Sequence, residues 1–309
     1  MKRKNVAVVG IGWFGRAHAR NYLAMANLVA VCDLNAEAAR KFAEEHPGVN
    51  AYTSVEDMVT NESLDAASVV TPPSQVPNLT KRLVDAGVDV LVEKPLGLSV
   101  DEVREANRAA EEVGVRVQPG FIELYNPVVD EVDRLVAAGE VGEIITISST
   151  RIGLYPRRHW GMGVLLDLGI HDVYLQQHFL GEVRRLHAMT CHHHSERFED
   201  AAFLLLDFGK VKTMIESNWL TPTKFRKMTI AGSEGSVEVD FVTKSLKVIH
   251  GRALDTDHPE TVETIVTPLR APEPLAREIA NFLYEDRPKV TMAEGIAALD
   301  VVLRAMGNR

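Results

Sequence analysis

The stretch Asn5-Val-Ala-Val-Val-Gly-Ile-Gly-Trp-Phe-Gly15 opens the chain and decides its fold. Val6 to Val9 is a short apolar run, typical of a strand that is buried on both faces, and it ends at Gly10. From Arg16 onward the residues are good helix formers. A strand, a glycine turn and a helix in this order predict the first unit of a parallel α/β sheet.

The three glycines of this turn have separate physical roles. Gly10 makes the tight turn, Gly12 lets the backbone approach a pyrophosphate, and Gly15 lets the helix pack closely against the strand. A second apolar run, Leu28 to Val31, leads to Asp33, which lies where a carboxylate binds the hydroxyls of an adenosine ribose. That carboxylate would repel the extra phosphate of NADP, so we predict NAD. The same glycine pattern also occurs in kinase loops and in turns that only save space.

Length and composition exclude several classes of protein. With 309 residues, of which 46% are hydrophobic, the chain can bury a large core, most simply as two domains. The net charge of -9 and the absence of a basic run disfavour nucleic acids and anionic membranes as partners. No apolar stretch is long enough to cross a bilayer, and the N-terminus enters a strand directly, so we expect a cytoplasmic protein. Cys32 and Cys191 have no pair spacing, which argues against a disulfide framework.

Strands and helices alternate through residue 121, which predicts a doubly wound parallel sheet in a dinucleotide-binding Rossmann domain spanning residues 1–121. Ligands of such sheets bind beyond the carboxyl ends of the strands. Five residues fall at strand ends on this rim: Gly10, Asp33, Thr71, Glu93 and Lys94.

Lys94 directly follows a buried strand and lies between Glu93 and Pro95. A lysine is usually a solvated surface charge. A fixed ammonium at the nicotinamide end of the cofactor would instead stabilise an alkoxide as hydride leaves, or hold the nicotinamide ribose. We predict one of these two roles for Lys94.

The second half of the chain, residues 122–309, is mostly strand-like, with Phe208-Gly-Lys210 as a hairpin turn. This pattern predicts an α+β domain with a large, mostly antiparallel open sheet and helices on one side. The other face must be covered, and pairing with another subunit is the simplest cover. We therefore predict that residues 122–309 bind substrate and assemble a homodimer or homotetramer.

A helix predicted over residues 163–180 interrupts these strands. Asp167 and His171 are four residues apart and share a face of it. They are either an exposed polar stripe, a core histidine satisfied by its neighbour, or a catalytic base with its orienting carboxylate. In the last case His171 takes the hydroxyl proton of an alcohol while Asp167 fixes the ring.

Basic side chains precede this helix. Arg151, Arg157, Arg158 and His159 are either solvated loop residues or a site for the diphosphate of a substrate. The run Cys191-His-His-His194 is different: adjacent residues of a strand point to opposite faces, so we expect no metal there.

Five motifs in order carry a resemblance to a known family: Gly10-Ile-Gly-Trp-Phe-Gly15, Thr71-Pro72, Glu93-Lys94-Pro95, Asn126-Pro127, and Gly163 to Asp172 with its Asp-x-Gly-x-His core. Over nearly its whole length the chain resembles the Gfo/Idh/MocA family of NAD(P)-dependent oxidoreductases. The resemblance implies hydride transfer on a sugar or cyclitol, with Lys94, Asp167 and His171 at the reacting carbon. It also implies these cofactor contacts: Gly10, Gly12, Trp13, Phe14, Gly15, Asp33, Thr71, Pro72, Glu93 and Lys94.

Within that family, the chain looks most like the branch that oxidises a ring hydroxyl of UDP-N-acetylhexosamines, such as UDP-N-acetylglucosamine. The resemblance implies that seven residues bind the substrate: Lys94, Glu123, Asn126, Arg157, Arg158, Asp167 and His171. Three positions depart from the family pattern. Val76 replaces a common histidine, Leu124 replaces an arginine frequent in this branch, and Tyr174 replaces a common aspartate.

Two alternatives stay open from the sequence. A free sugar or inositol in place of the nucleotide sugar predicts activity without a UDP group. Some relatives of this fold bind a dinucleotide only to regulate a partner protein. Lys94, Asp167 and His171 argue against that role, because a sensor needs no base.

Overall fold

A computed structural model describes residues 3–156, 161–251, 262–266 and 271–307. Two units divide the chain. The first unit contains Met1–Phe121 and Leu275–Ile296, and the second contains Ile122–Pro274 and Ala297–Arg309. The segment Leu275–Ile296 therefore belongs to the first unit although it follows most of the second in sequence.

Six parallel strands form the sheet of the first unit. They are β1 (Asn5–Val9), β2 (Asn27–Cys32), β3 (Asn50–Tyr52), β4 (Ala66–Val69), β5 (Asp89–Glu93) and β6 (Val117–Gly120). Their order is β3-β2-β1-β4-β5-β6, in which each half winds outward from the β1 and β4 pair. This is the doubly wound order of dinucleotide-binding folds, and it confirms the predicted fold class.

Five helices connect these strands: α1 (Trp13–Met25), α2 (Ala36–Glu45), α3 (Val55–Asn61), α4 (Val76–Asp85) and α5 (Val100–Val113). Polar side chains start three of them. Asn35 accepts a hydrogen bond from the Ala38 amide, and Ser54 and Ser99 cap α3 and α5 in the same way. Helix α1 begins at Trp13, three residues before the predicted Arg16, because the glycine turn leads straight into it.

The second unit begins with a 3-10 helix, Ile122–Tyr125, and α6 (Pro127–Ala137). Its strands are β7 (Ile144–Leu154), β8 (Arg185–Cys191), β9 (Ala201–Asp207), β10 (Lys212–Asn218), β11 (Leu220–Gly232), β12 (Gly235–Asp240), β13 (Ser245–His250) and β14 (Val262–Val266). A π-helical turn, Leu165–Gly169, runs into α7 (Ile170–Leu180). The chain closes with α8 (Pro274–Tyr284) and α9 (Met292–Gly307).

These eight strands form one sheet in the order β14-β13-β12-β11-β7-β10-β9-β8. Every neighbouring pair is antiparallel except β7 and β10, which are parallel. The mostly antiparallel sheet is as predicted.

Helix α7 packs on one face of this sheet. Ile147, Ser149 and Arg151 alternate along β7 and are buried on that face. The amide of Gln176 on α7 donates to the Ser149 hydroxyl at 3.0 Å, which fixes α7 against β7. The helix that carries His171 is thus held by the sheet beneath it.

The opposite face of the sheet exposes large apolar side chains. Met189 lies opposite Phe203, and Leu205 lies opposite Met214, so these four residues form one patch across β8, β9 and β10. Their exposed fractions run from 43% for Phe203 to 74% for Met189. Within the described ranges, no helix is long and apolar enough to cross a membrane.

A buried polar chain crosses the core of the first unit. The two ring nitrogens of His18 contact the Ser68 hydroxyl and a Glu93 carboxylate oxygen, each at 3.0 Å, and the Tyr22 hydroxyl contacts Ser68 at 2.5 Å. Glu278 of α8 lies in the same core and is fully buried, and neither of its carboxylate oxygens has a hydrogen-bond partner among the described residues. Burial first, and then the charge of Glu93, raise the pKa of Glu278 well above its ordinary value of 4.5.

Replacing Glu278 with glutamine is expected to make stability less sensitive to pH. A carboxyl whose pKa is raised on folding stabilises the fold fully below its unfolded pKa, and this contribution is lost as pH rises towards the folded pKa. Since glutamine cannot ionise, the free energy of unfolding of E278Q should increase relative to that of the wild type as pH rises above the unfolded pKa, and measurements at about pH 5 and about pH 8 compare the two. The gain is about 1.4 kcal/mol for each unit of raised pKa in that window.

Urea titrations at both pH values measure this difference. Glu112→Gln, at an exposed position of α5, is the matched control and should run parallel to the wild type. If E278Q also runs parallel to the wild type, Glu278 does not carry the pH dependence.

Candidate active site

The glycine turn after β1 leaves no room for side chains at two of its positions. Gly10 has a φ of +92°, and a Cβ there would lie 2.2 Å from the Val70 carbonyl oxygen. A Cβ on Gly15 would lie 1.8 Å from the Gly10 carbonyl oxygen. The tight turn and the close packing of α1 on β1 therefore both require glycine.

The same turn fits the pyrophosphate of a dinucleotide. A Cβ on Gly12 would meet nothing within 4 Å, so the backbone borders open space there. No side chain caps α1, and its first turn holds no acidic residue, which leaves the helix start suited to an anion. The Thr71 hydroxyl, just after β4, is buried without a hydrogen-bond partner among the described residues. Trp13, at the start of α1, is 85% exposed and stacks on Phe14.

Asp33 holds the glycine turn in place. One of its carboxylate oxygens accepts from the Ile11 amide at 2.8 Å, and the other accepts from the Asn35 amide at 2.8 Å. The carboxylate thus joins the loops after β1 and β2, a role that the sequence does not reveal. Its binding to the adenosine ribose stays a prediction. Burial raises the pKa of the neighbouring Cys32 thiol to about 12, with Asp33 adding to the effect, and this disfavours the nucleophilic thiolate form.

Glu93 fixes the backbone that carries Lys94. Its carboxylate is buried, contacts His18 through one oxygen, and accepts from the Lys94 amide at 3.2 Å through the other. Gly120 allows this placement, because a Cβ there would lie 2.8 Å from the Glu93 carboxylate. Lys94 itself is half-buried, in contrast to a solvated surface lysine.

In the second unit, Asp167 lies in the π-helical turn that precedes α7. Glu199, which the sequence does not single out, holds the start of this turn: its carboxylate accepts from the Leu165 amide at 3.0 Å. A Cβ on Gly163 would lie about 2 Å from that carboxylate, which explains the glycine of the motif. The predicted single helix is thus a π turn followed by an α-helix, an irregularity frequent at functional sites.

His171 has a partner that sequence spacing does not predict. Its Nδ1 lies 2.7 Å from the Tyr174 hydroxyl, one turn further along α7. That hydroxyl also accepts from the Glu123 amide at 3.1 Å. A tyrosine bound to the protein backbone therefore fixes the orientation of the His171 ring, and any part that Asp167 plays in this stays a prediction.

Arg151 is buried and fully paired beneath this helix. Its guanidinium donates to both carboxylate oxygens of Asp172, at 2.8 and 3.3 Å, and to Glu123 at 2.9 Å. Burial opposes the charge on Arg151, but Asp172 and Glu123 outweigh it and raise the Arg151 pKa. Neither interpretation of Arg151, as a solvated loop residue or as part of a diphosphate site, is correct, because Arg151 is buried and paired inside the second unit.

The other predicted substrate contacts of the second unit lie on elements next to α7. Asn126 is buried, caps α6, and donates to the Glu123 carboxylate at 3.0 Å. Burial opposes ionisation of Glu123, yet Arg151, Asn126 and Arg226 hold its pKa below the usual value. Arg157 and Arg158, with His159, lie outside the described residues.

Hydrogen bonds to Asp200 hold the backbone of the run from Cys191 to His194. The amides of His193 and His194 both donate to one carboxylate oxygen of Asp200, at 2.7 Å. The His194 ring packs against Tyr155, with 4.5 Å between ring centroids and 53° between the ring planes. In the part of the chain that the structure covers, no group of three or more His, Cys, Asp or Glu side chains is arranged to hold a metal ion.

Comparisons with known proteins agree with this geometry. The family model for oxidoreductases with an NAD-binding Rossmann fold matches residues 4–121, and the Gfo/Idh/MocA C-terminal domain model matches residues 129–238. The UDP-N-acetylglucosamine 3-dehydrogenase of Acidithiobacillus ferrooxidans is 28% identical over 100% of this chain and 97% of its own length. The NAD-dependent scyllo-inositol 2-dehydrogenase of Bacillus subtilis is 34% identical, over 57% of this chain and 53% of its own length.

A solved structure of the Acidithiobacillus ferrooxidans UDP-N-acetylglucosamine 3-dehydrogenase superimposes with a TM-score of 0.90 and 25% identity. The superposition covers 100% of this chain and 98% of that one. Both halves of the chain match models of the same family, and the resemblance first seen in the motifs is confirmed. This chain therefore belongs to the Gfo/Idh/MocA family of NAD-binding oxidoreductases.

Proposed function

We propose that this oxidoreductase oxidises a ring hydroxyl of a UDP-N-acetylhexosamine to a ketone. The observation that carries the proposal is the pairing of His171 with Tyr174 on α7, one turn after Asp167. Similarity over the full length to a UDP-N-acetylglucosamine 3-dehydrogenase supports the choice of substrate class.

Oxidation of an alcohol removes a proton from oxygen and a hydride from carbon. NAD, when bound, accepts the hydride. Because Nδ1 of His171 is engaged by Tyr174, the proposal assigns the hydroxyl proton to Nε2. The Lys94 ammonium stabilises the alkoxide that forms as the proton leaves, and Glu93 holds the Lys94 backbone for that role.

Asp167 supplies a negative charge near the histidine as it becomes an imidazolium. The glycine turn, Asp33, Thr71 and Pro72 bind the cofactor in this proposal, with Trp13 and Phe14 at its edge. Glu123 and Asn126 shape the substrate side, because the Glu123 backbone amide donates to the Tyr174 hydroxyl and the Asn126 side chain caps α6.

A substrate panel tests the proposal. Protein is incubated with NAD and, separately, with UDP-N-acetylhexosamines, other UDP-sugars, free sugars and inositols, while NADH absorbance is followed. Reduction of NAD with a UDP-N-acetylhexosamine is the expected result. Reduction only with free polyols would favour the second candidate, an inositol or sugar dehydrogenase, which the similarity to scyllo-inositol 2-dehydrogenase over half the chain supports.

We also propose that the exposed face of the eight-stranded sheet joins subunits of a homo-oligomer. Met189, Phe203, Leu205 and Met214 form a contiguous apolar patch there. Exposed patches of this kind mark interaction surfaces. A second copy of the same face covers the patch through a two-fold interface.

Leu205→Arg is expected to split the oligomer, because it places a charge in the centre of a buried apolar contact. The dissociation constant between subunits should rise about 100-fold or more. Sedimentation velocity at several protein concentrations measures it, with Leu34→Arg, 88% exposed in the first unit, as the matched control. A wild-type protein that is monomeric at all concentrations would remove the proposed interface.

A further inference from the structure

Two arginines face each other on neighbouring strands of the second unit. Arg226 of β11 lies directly opposite Arg151 of β7 in the sheet register. Like charges in directly opposite positions destabilise a sheet. The placement therefore needs a compensating negative charge for each guanidinium.

The carboxylates in this cluster are already occupied by Arg151. Both oxygens of Asp172 and the nearest oxygen of Glu123 bind it at 2.8 to 3.3 Å. Among the residues that the structure describes, Arg226 reaches only that same Glu123 oxygen, at 3.4 Å. Within the described part of the chain, Arg226 thus has one long, shared ion pair although its side chain is only 26% exposed.

Lys224 adds a third cation two residues before Arg226. The pairing of β11 with β7 is irregular between Leu220 and Phe225, so Lys224 lies in a bulged segment. Bulges often redirect a side chain next to an active site. Within the described residues Lys224 makes no hydrogen bond and no ion pair.

Charge repulsion links these cations. Arg226, followed by burial, lowers the pKa of Lys224. Burial, followed by Arg151, lowers the pKa of Arg226, while Glu123, Asp172 and then Asp167 oppose the shift. Arg226 therefore lies within electrostatic range of Asp167, a residue of the proposed catalytic set, and an added anion would relieve the repulsion between Arg226 and Lys224.

We propose that Lys224 and Arg226 bind the diphosphate of the nucleotide-sugar substrate. This inference makes the proposed function more specific, and it rests on the proposed function for the sugar part of the substrate. In the described ranges, Lys224 has no paired carboxylate and Arg226 shares one with Arg151, so the two cations match a group with two negative charges better than a single sugar carboxylate. The guanidinium of Arg226 suits phosphate oxygens because its donors form a planar fork.

Calorimetric titration of the NAD-loaded protein with UDP tests this assignment. UDP should bind to the wild type, and Lys224→Gln and Arg226→Gln should each weaken its binding about 10- to 100-fold, the loss expected for one hydrogen bond to a charged group. Lys227→Gln is the matched control. Lys227 is exposed on the same strand but follows Arg226 directly, so its side chain points to the opposite face of the sheet, and the variant should bind UDP like the wild type. Thermal melts identify any variant that fails to fold. If Arg226→Gln fails to fold, Lys224→Gln still tests the site, because Lys224 is exposed.

The outcomes separate this inference from the proposed function. If Lys224→Gln binds UDP as tightly as the wild type, the diphosphate site is wrong, even if the enzyme oxidises a UDP-sugar. If a uronic acid binds in a Lys224-dependent manner and UDP does not, the anion is a carboxylate and the assignment is also overturned. If UDP binding depends on Lys224 but no substrate in the panel reduces NAD, the anion site stands and the proposed reaction fails.

Discussion

His171→Ala is expected to lower kcat for alcohol oxidation by about 10²- to 10⁴-fold, the usual contribution of a general base. Affinity for NAD should stay close to that of the wild type, because the predicted cofactor contacts lie on the glycine turn and the strand ends of the first unit. Steady-state kinetics give kcat, and quenching of NADH fluorescence gives the dissociation constant of the cofactor. Wild-type turnover in this variant would rule out His171 as the base.

Tyr174→Phe tests the orientation of His171 and is expected to have a smaller effect than His171→Ala. It keeps the ring and its packing but removes the hydroxyl that lies 2.7 Å from Nδ1 of His171. A decrease in kcat of about 10-fold is expected, since a hydrogen bond of about 1 kcal/mol is lost and the imidazole is less well oriented. A change in the pH profile of kcat, with an unaltered melting temperature, distinguishes orientation of the base from a loss of fold.

The dinucleotide fold was predictable because its signals are local. Gly10 is required by its positive φ and Gly15 by its contact with the Gly10 carbonyl, and Asn35, Ser54 and Ser99 cap their helices through amides three residues away. Such contacts leave a fixed spacing in the sequence. The strands of the first unit could therefore be placed from apolar runs and turns alone.

The parts that sequence does not show depend on long-range contacts. Glu199 holds the turn before α7 from 34 residues away, and Arg151 pairs with Glu123 across 28 residues. No spacing rule connects such partners before the chain is folded. For the same reason, the sequence does not show that Leu275–Ile296 belongs to the first unit or that β7 and β10 pair in parallel.

The candidate catalytic residues fall between these two cases. Asp167 and His171 stand out because they are four residues apart in an apolar helix. Tyr174, three residues further on, where the family pattern favours aspartate, is a partner of His171 that the sequence does not single out. Spacing along a helix thus identifies candidate partners of a histidine, but it does not identify every polar neighbour that contacts it.

Asp33→Arg should produce the second large effect, a loss of NAD affinity of about 100-fold together with a gain in NADP affinity. The substitution removes the carboxylate predicted to bind the ribose hydroxyls, and an arginine in its place accommodates a 2′-phosphate. It also removes the acceptor of the Ile11 amide, which helps to hold the glycine turn. Titration of each variant with NADH and with NADPH separates these contributions.

Asp33→Asn is the control that separates the effect of the negative charge from the effect of the hydrogen bond to the glycine turn. Its side-chain oxygen can still accept from the Ile11 amide, so the turn keeps its anchor while the negative charge is gone. If charge governs the choice of cofactor, the asparagine variant should bind NAD more weakly than the wild type and discriminate less against NADP, without the preference for NADP expected of arginine. If both variants lose NAD and NADP affinity equally, Asp33 acts through the turn alone. An unchanged preference for NAD in Asp33→Arg would place the ribose elsewhere.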